Sequence, residues 1–156
     1  MGLQQEIKQA RPFRPIEEVS LSILRTAVLL ENIPNKIFKD AGVTHVQYNV
    51  LRILRGSPNG LCRSEIGERL IASVPDVTRL LDRMEASGLI VRHRVEKDRR
   101  YVLTKITEKG RQLADSLEVP LVQAFEERLS CVSIEDARTL VSILDKLREQ
   151  LIERSD

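Results

Sequence analysis

The chain has 156 residues and a formal net charge of +2, with 42% hydrophobic, 31% charged and 3% aromatic residues. This apolar content excludes a disordered chain, and the scarcity of aromatic residues favours helices over a sandwich of strands. The sequence has no apolar run of the ~18 residues that a membrane span needs, and its polar N-terminus lacks a signal-peptide core. We therefore expect a cytoplasmic protein without membrane contact.

Charge is distributed unevenly along the chain. The first 107 residues hold 18 Lys and Arg against 12 Asp and Glu, whereas residues 108–156 hold 7 against 11. This asymmetry suggests that one face meets a polyanion. Ordinary variation of charge on solvated helices explains the counts equally well.

The N-terminal third is predicted to form an extended arm followed by a helix. Residues 1–15 end in Arg-Pro-Phe-Arg-Pro, and the two prolines oppose a helix there. From Ile16, apolar residues recur at helical spacing. Pro34 should kink or split this helix, and Gly42 should end it.

The middle of the chain predicts three further helices. Thr44 and Gln47 have the spacing of a capping box, which opens a second helix. A turn at residues 57–60 leads to a short helix over residues 63–70. Ser73 is then predicted to cap a fourth helix that has proline in its first turn and that ends at Gly88.

The pattern changes after this fourth helix. Residues 89–95 and 101–106 alternate between apolar and polar, which predicts a β-hairpin with a charged tip at residues 96–100. Thr107 should cap a long fifth helix with a bend at Pro120. Ser133 should open a sixth helix with an apolar stripe, made of Leu140, Val141, Leu144, Leu147 and Leu151.

Two short helices joined by a turn and followed by a basic ribbon form a winged helix-turn-helix. The predicted helix start at Ser73 would offer N–H groups to phosphate. Thr78 and Arg79 lie where side chains reach base edges, and Arg83 lies one turn further on, nearer phosphate. The ribbon adds five cations, namely Arg92, Arg94, Lys97, Arg99 and Arg100.

Two other interpretations of these residues stay open. Asp82 could form salt bridges with Arg79 and Arg83 on a solvated helix. Winged helices also serve as protein–protein interaction modules, so an adaptor that does not bind DNA is the alternative function. No phosphate loop, metal motif or nucleophile–base pair is visible in the sequence, and we do not expect an enzyme.

Four segments of the sequence carry a resemblance to a known family. They read V-T-R-L-L-D-R-M-E at residues 77–85, G-L-I at 88–90, D-R-R at 98–100 and I-T-E-K-G at 106–110. In order and spacing they resemble the MarR family of bacterial transcription regulators, and the six-helix layout covers essentially the whole chain.

The resemblance implies a mainly α fold with a small β-wing. Residues 1–40 and 108–156 would supply dimerisation helices, and residues 41–107 would be the DNA-binding domain. It also implies a homodimer that binds a pseudo-palindrome in double-stranded DNA and acts as a repressor, often released by a small ligand.

Carried over by position, Arg100 is the wing arginine expected in the minor groove, and Asp98 is the carboxylate that orients it. Asp76 departs from the family, because many members carry a small hydroxyl residue there. It could cap the helix or accept from a cytosine amino group. The predicted DNA-binding residues are Ser73, Asp76, Val77, Thr78, Arg79, Arg83, Arg94, Asp98, Arg99 and Arg100.

The family's usual effector site lies between the dimer helices and the winged helix. Tyr48 and Arg52 would be the polar anchors for a small anionic or phenolic ligand. Equally, Tyr48 could be a core residue and Arg52 a solvated charge. The candidate lining is Ile23, Ala27, Tyr48, Leu51 and Arg52.

The cysteines and histidines predict neither a cofactor nor a metal site. Some members of the family sense oxidants through a cysteine in the first helix, but here Cys62 is the first cysteine of the chain. We expect Cys62 and Cys131 to be buried structural thiols. His45 and His93 are far apart in sequence and form no Cys/His group, so no metal-ligand set is evident.

Overall fold

The computed structural model describes the backbone of residues 2–95 and 98–154, and the side chains of residues 2–94 and 101–154. The fold of this described part is mainly α with a small β-wing, as predicted. Its elements in chain order are α1 Leu3–Glu6, α2 Pro15–Asn32, α3 Asn35–Ala41, α4 His45–Arg55, α5 Arg63–Arg69, α6 Val77–Ala86, β1 Ile90–Val95, β2 Asp98–Ile106, α7 Glu108–Arg128 and α8 Ile134–Glu153.

The N-terminal third follows its proline and glycine pattern, with one correction. The predicted extended arm contains the short helix α1, which forms before the first proline of the chain. Pro15 occupies the first turn of α2, where its missing N–H is not needed. Pro34 splits the predicted helix into α2 and α3, and Gly42 ends α3 with a φ of +68°.

Helix α4 begins at the predicted capping box. The Thr44 hydroxyl accepts from the Gln47 N–H at 3.2 Å, and the Gln47 side chain accepts from the Thr44 N–H at 2.8 Å. The helix then buries one face in the hydrophobic core, to which α6, the base of the wing and α7 also contribute. The most buried large side chains are Leu51, Leu54, Ile66, Leu81, Met84 and Ile90.

Helix α6 begins later than the sequence analysis predicts. Its N-cap is Asp76, whose carboxylate accepts from the Arg79 N–H at 2.9 Å, so the predicted cap at Ser73 is wrong. Val74 precedes Pro75, and a residue before proline is disfavoured in the α conformation. Val74 is therefore a poor first helical residue, which a cap at Ser73 would require it to be.

The wing is an antiparallel pair of β1 and β2, in the register that aligns Ile90 with Ile106 and Arg92 with Thr104. Strand β2 begins at Asp98, so residues 98–100 belong to the strand rather than to the predicted tip. A third segment joins the wing, because the backbone of Leu61 pairs with that of Thr104 at 2.8 and 3.1 Å. The sequence analysis missed this bridge.

The C-terminal helices begin at their predicted caps. The Thr107 hydroxyl accepts from the Gly110 N–H at 3.0 Å, and the Ser133 hydroxyl accepts from the Asp136 N–H at 3.1 Å. Helix α7 continues through Pro120 as one element. The chain divides into two compact units, Met1–Leu121 and Val122–Asp156. Among the described residues, no helix combines the length and apolarity needed to cross a bilayer.

Candidate nucleic-acid interface

Helix α6 presents a polar face to solvent. Leu80, Leu81 and Met84 are buried, and they lie on one side of the helix because of their spacing. Thr78 and Arg79 lie on the exposed side in the first turn. The structure thus brings Thr78, Arg79 and Arg83 to one exposed surface. The apolar side of the helix packs against the core.

The N-terminal end of α6 differs from the predicted phosphate site. Ser73 is exposed in the loop before the helix, and the Arg79 N–H in the first turn donates to the Asp76 carboxylate instead. The negative charge of this carboxylate disfavours the binding of another anion, such as phosphate, at the positive N-terminal end of the helix. Val77 is half-buried and packs against the core. In the N-cap and first turn of α6, the exposed residues are Asp76, Thr78 and Arg79.

Arg63 is a member of this surface that the sequence analysis missed. It is the first residue of α5, and its guanidinium donates to the Thr78 hydroxyl at 3.0 Å. The pair joins the two helices of the helix-turn-helix. No local pattern could reveal it, since the residues are 15 positions apart in different elements.

Arg92 in β1 turns towards α6. Its Nε donates to Glu85 at 2.8 Å and its Nη2 donates to Asp82 at 2.6 Å. These contacts raise the pKa of Arg92 and lower the pKa of Glu85. Within the described residues, Asp82 forms no ion pair with Arg79 or Arg83, which removes the helix salt bridges considered above.

The rest of the wing is described only in part. Arg94 is exposed in β1. The backbone of Asp98, Arg99 and Arg100 lies in β2, but their side chains lie outside the described part of the structure. Lys97 lies outside the described residues altogether.

The candidate effector residues fall into different environments. Tyr48 and Leu51 belong to the core, where the Tyr48 ring lies 5.3 Å from that of Phe38. Burial raises the pKa of Tyr48, and nearby Arg52 opposes the shift. Arg52 itself is exposed. The remaining candidates, Ile23 and Ala27, lie exposed on α2.

Arg52 borders an open cleft of about 430 Å³ on the outer side of α4. Arg55 and Arg69 also line this cleft. The Arg55 guanidinium donates to Asp115 at 2.7 Å and to Glu118 at 2.8 Å, which joins α4 to α7 and raises the pKa of Arg55. The cleft is therefore cationic, with part of its charge neutralised.

The two cysteines differ from the expectation of buried thiols. Cys131 is exposed in the turn before α8, and Cys62 is half-exposed at the N-cap of α5. The Cys62 N–H donates to Glu65 at 2.7 Å, and this bond lowers the pKa of the Glu65 carboxyl. In the part of the chain that the structure describes, no group of three or more His, Cys, Asp or Glu side chains could hold a metal ion.

Two helices joined by a turn, an exposed polar face on the second helix and a β-wing beside it define a winged helix-turn-helix protein. A sequence profile described as "MarR family" matches residues 41–100. A MarR transcription factor from Planctomyces limnophilus is 33% identical, with 90% of this chain and 99% of that chain covered and a TM-score of 0.65. The chain belongs to the MarR family of transcription regulators.

Two further proteins are similar over most of the chain. The HTH-type transcriptional regulator PecS of Dickeya dadantii is 26% identical over 152 residues, which cover 95% of this chain and 92% of PecS. The structure of Staphylococcus aureus MepR, solved as a complex with DNA, shares the fold at 20% identity and a TM-score of 0.76, with 89% of this chain and 99% of that chain covered.

Proposed function

We propose that this regulator is a cytoplasmic, homodimeric repressor that binds a pseudo-palindromic operator in double-stranded DNA. The observation that carries the proposal is the exposed face of α6, where Thr78, Arg79 and Arg83 stand free of carboxylate partners among the described residues. Its place beside the wing suits a helix that enters the major groove. The MepR complex with DNA supports the same use of this fold. We name α6 the recognition helix.

Each exposed residue of the recognition helix has a proposed role. Arg79 would donate in fork geometry to a guanine, and Thr78 would contact a base or phosphate. Arg83, one turn further on, would bind phosphate. Asp76 caps the helix, so its carboxylate is less available to a cytosine amino group. Ser73 and Val77 remain proposed contacts, the first from an exposed loop and the second from a half-buried position.

The wing would hold the flanking DNA. Arg100 is proposed to enter a narrow minor groove, where the negative potential is concentrated, and Asp98 is proposed to orient it. Arg94 and Arg99 would bind the phosphate backbone. The exposure of Arg94 supports this part of the proposal.

Dimerisation would use both ends of the chain. We propose residues 1–40 and 108–156 as dimerisation segments and residues 41–107 as the DNA-binding domain. Every residue of α2 and of α8 is at least partly exposed in the single chain. Helices with this many apolar residues are stable in water when another surface covers them.

A small effector is proposed to release the repressor from DNA. The cationic cleft beside Arg52 favours an anionic molecule, and a phenolic one carrying a carboxylate would also suit it. Arg52 would be its polar anchor. Ile23 and Ala27 stay candidates on α2, whereas the core positions of Tyr48 and Leu51 favour a packing role for both.

The test compares two arginines of the recognition helix on two duplexes. The first duplex is selected from a random library by the wild-type protein, and the second is its scrambled version. Arg79→Ala should lose about 1–3 kcal/mol of discrimination between them, because it removes a base contact. Arg83→Ala should weaken both alike and lower the salt dependence. Identical behaviour of the two variants would contradict the base-reading role of Arg79.

The same assay separates the repressor from the adaptor. The affinity of a DNA-binding dimer should fall steeply as salt rises, since phosphate contacts release counterions. An adaptor should bind duplex weakly at every salt concentration. Weak binding by the wild-type protein would contradict the proposed function.

A further inference from the structure

Arg92 is held between two elements that are both proposed to touch DNA. Its guanidinium donates to Glu85 at 2.8 Å and to Asp82 at 2.6 Å, and its backbone N–H donates to the second oxygen of Glu85 at 2.8 Å. The Arg92 side chain is 26% exposed. We name Arg92, Asp82 and Glu85 the wing clamp.

The geometry of the wing clamp restricts how β1 can move over α6. A guanidinium is planar and presents its donors in a rigid fork, so two carboxylates that share it fix its position and its orientation. The additional bond from the Arg92 backbone extends this restraint from the side chain to the strand. Strand and helix are thereby joined at the level where the wing begins.

The chemistry of the wing clamp is opposite to that of a phosphate site. Two carboxylates and one guanidinium give the cluster a formal charge of −1, which repels a duplex. The Nε and Nη2 donors of Arg92 already bind carboxylate oxygens at the short distances of charge-assisted bonds, so no fork of two donor nitrogens is left for a phosphate. Arg94 lies two residues further along the same strand, is exposed, and has no carboxylate partner among the described residues.

We infer that Arg92 is a positioning residue, which sets the distance between the recognition helix and the wing, and that it does not bind phosphate. The inference rests on the proposed DNA binding. Helix and wing would read adjacent grooves, so their spacing decides which base pairs both can contact at once. The wing clamp therefore contributes to specificity without touching a base.

The experiment measures duplex affinity over a range of salt concentrations. It uses the duplex selected by the wild-type protein and a second duplex in which the flanking base pairs that would face the wing are exchanged. The variants are Arg92→Gln, Arg92→Lys, Asp82→Asn and Glu85→Gln. Arg94→Gln is the matched control, because it removes the same charge from the same strand.

We expect Arg92→Gln to weaken binding about tenfold and to reduce discrimination between the duplexes, with an unchanged salt slope. Arg92→Lys should be equally defective, because an ammonium cannot reproduce the fork. Asp82→Asn and Glu85→Gln should also weaken binding, although each removes a negative charge. Arg94→Gln should lower the salt slope by about 1 per protomer and leave discrimination intact.

Three results would overturn the inference: rescue by Arg92→Lys, a loss of salt slope in Arg92→Gln equal to that of Arg94→Gln, or tighter binding by Asp82→Asn and Glu85→Gln. The first two would identify Arg92 as a phosphate ligand, and the third would show that the two carboxylates act only by repelling the duplex. If the wild-type protein binds no duplex, the proposed function is wrong. The wild-type measurement comes first, so this outcome is distinguished from a failure of the inference about Arg92.

A second measurement judges the wing clamp without DNA. In NMR spectra, the titration midpoint of the Glu85 carboxyl should lie below 4.5 in the wild-type protein and return towards 4.5 in Arg92→Gln. The Arg92 Nε–H signal should be protected from exchange and should lose its protection in Glu85→Gln. If the titration midpoint of Glu85 in the folded wild-type protein does not lie below 4.5, the wing clamp is contradicted. This measurement needs no variant, so it remains decisive if a variant fails to fold.

Discussion

Gly110 stands where α7 passes closest to the segment that follows the recognition helix. A Cβ atom at this position would overlap with the carbonyl oxygen of Leu89 and would press on Ile106. That carbonyl accepts from the Thr107 N–H at 3.1 Å, so it cannot move away without losing a hydrogen bond. In the I-T-E-K-G segment, Gly110 is needed because no Cβ fits at its position, and Thr107 is needed because it caps α7.

Gly110→Ala should lower the free energy of unfolding by about 1–3 kcal/mol or more, because a methyl group is forced into a packed backbone contact. Urea denaturation at a fixed protein concentration measures the change. Gly56→Ala is the control, since its φ is −79° and its Cβ would meet its nearest neighbour at an ordinary 3.6 Å. We expect that control to be neutral or slightly stabilising. A Gly110→Ala variant as stable as the Gly56→Ala control would show that the overlap is relieved at little cost.

At the level of the element, the start of the recognition helix illustrates how two candidate caps compete. Ser73 and Asp76 both have N-cap chemistry, and Pro75 lies between them. The restriction that Pro75 places on Val74 selects Asp76. The Asp76 carboxylate thus binds an N–H of its own helix, which makes it less available to a base.

This capping role predicts different effects of two substitutions at Asp76 on stability. Asp76→Ala should destabilise the protein by about 0.5–2 kcal/mol, because the cap bond to the Arg79 N–H is lost. Asp76→Asn keeps a good cap and removes a negative charge, so it should preserve stability and tighten duplex binding. Thermal unfolding and duplex titration are the two measurements. Loss of discrimination in Asp76→Asn without loss of stability would instead favour contact with a base.

The elements show which parts of the fold a sequence can predict. Capping boxes and helical spacing are local, and they predict α4, α7 and α8 because each signal lies within one element. The exposure of Thr78 and Arg79 follows from the same spacing. The bridge from Leu61 to the wing and the partners of Arg92 could not be predicted, because they join residues from different elements.

For the whole molecule, two helices leave large apolar side chains exposed in the single chain, one in each compact unit. Helix α2 carries large apolar side chains that are 39–75% exposed, and those of α8 are exposed to a similar degree. Large exposed apolar side chains that are grouped on a helix face mark interaction sites in soluble proteins. Representative residues are Ile16, Val19, Ile23, Leu24 and Val28 in α2, and Leu140, Val141, Ile143 and Ile152 in α8.

We expect the protein to sediment as a dimer, and Leu24→Glu or Val141→Glu to raise the dissociation constant at least about 100-fold. Each variant would place an unpaired charge in the proposed interface, which would cost several kcal/mol. Analytical ultracentrifugation over a range of concentrations measures the change. Ile71→Glu is the control, because Ile71 is 79% exposed in the loop after α5. A wild-type monomer would contradict the dimer, and equal effects of all three variants would contradict an interface on α2 and α8.

The hydroxyl of Thr107 has a mechanical consequence. It accepts from the Gly110 N–H at 3.0 Å and donates to the Gly88 carbonyl at 2.7 Å, while Lys109 donates to the Ser87 carbonyl at 2.8 Å. Two hydrogen bonds thus join the end of the recognition helix to the beginning of α7. We expect the end of the recognition helix and the first turn of α7 to move as one body, because these hydrogen bonds join them directly.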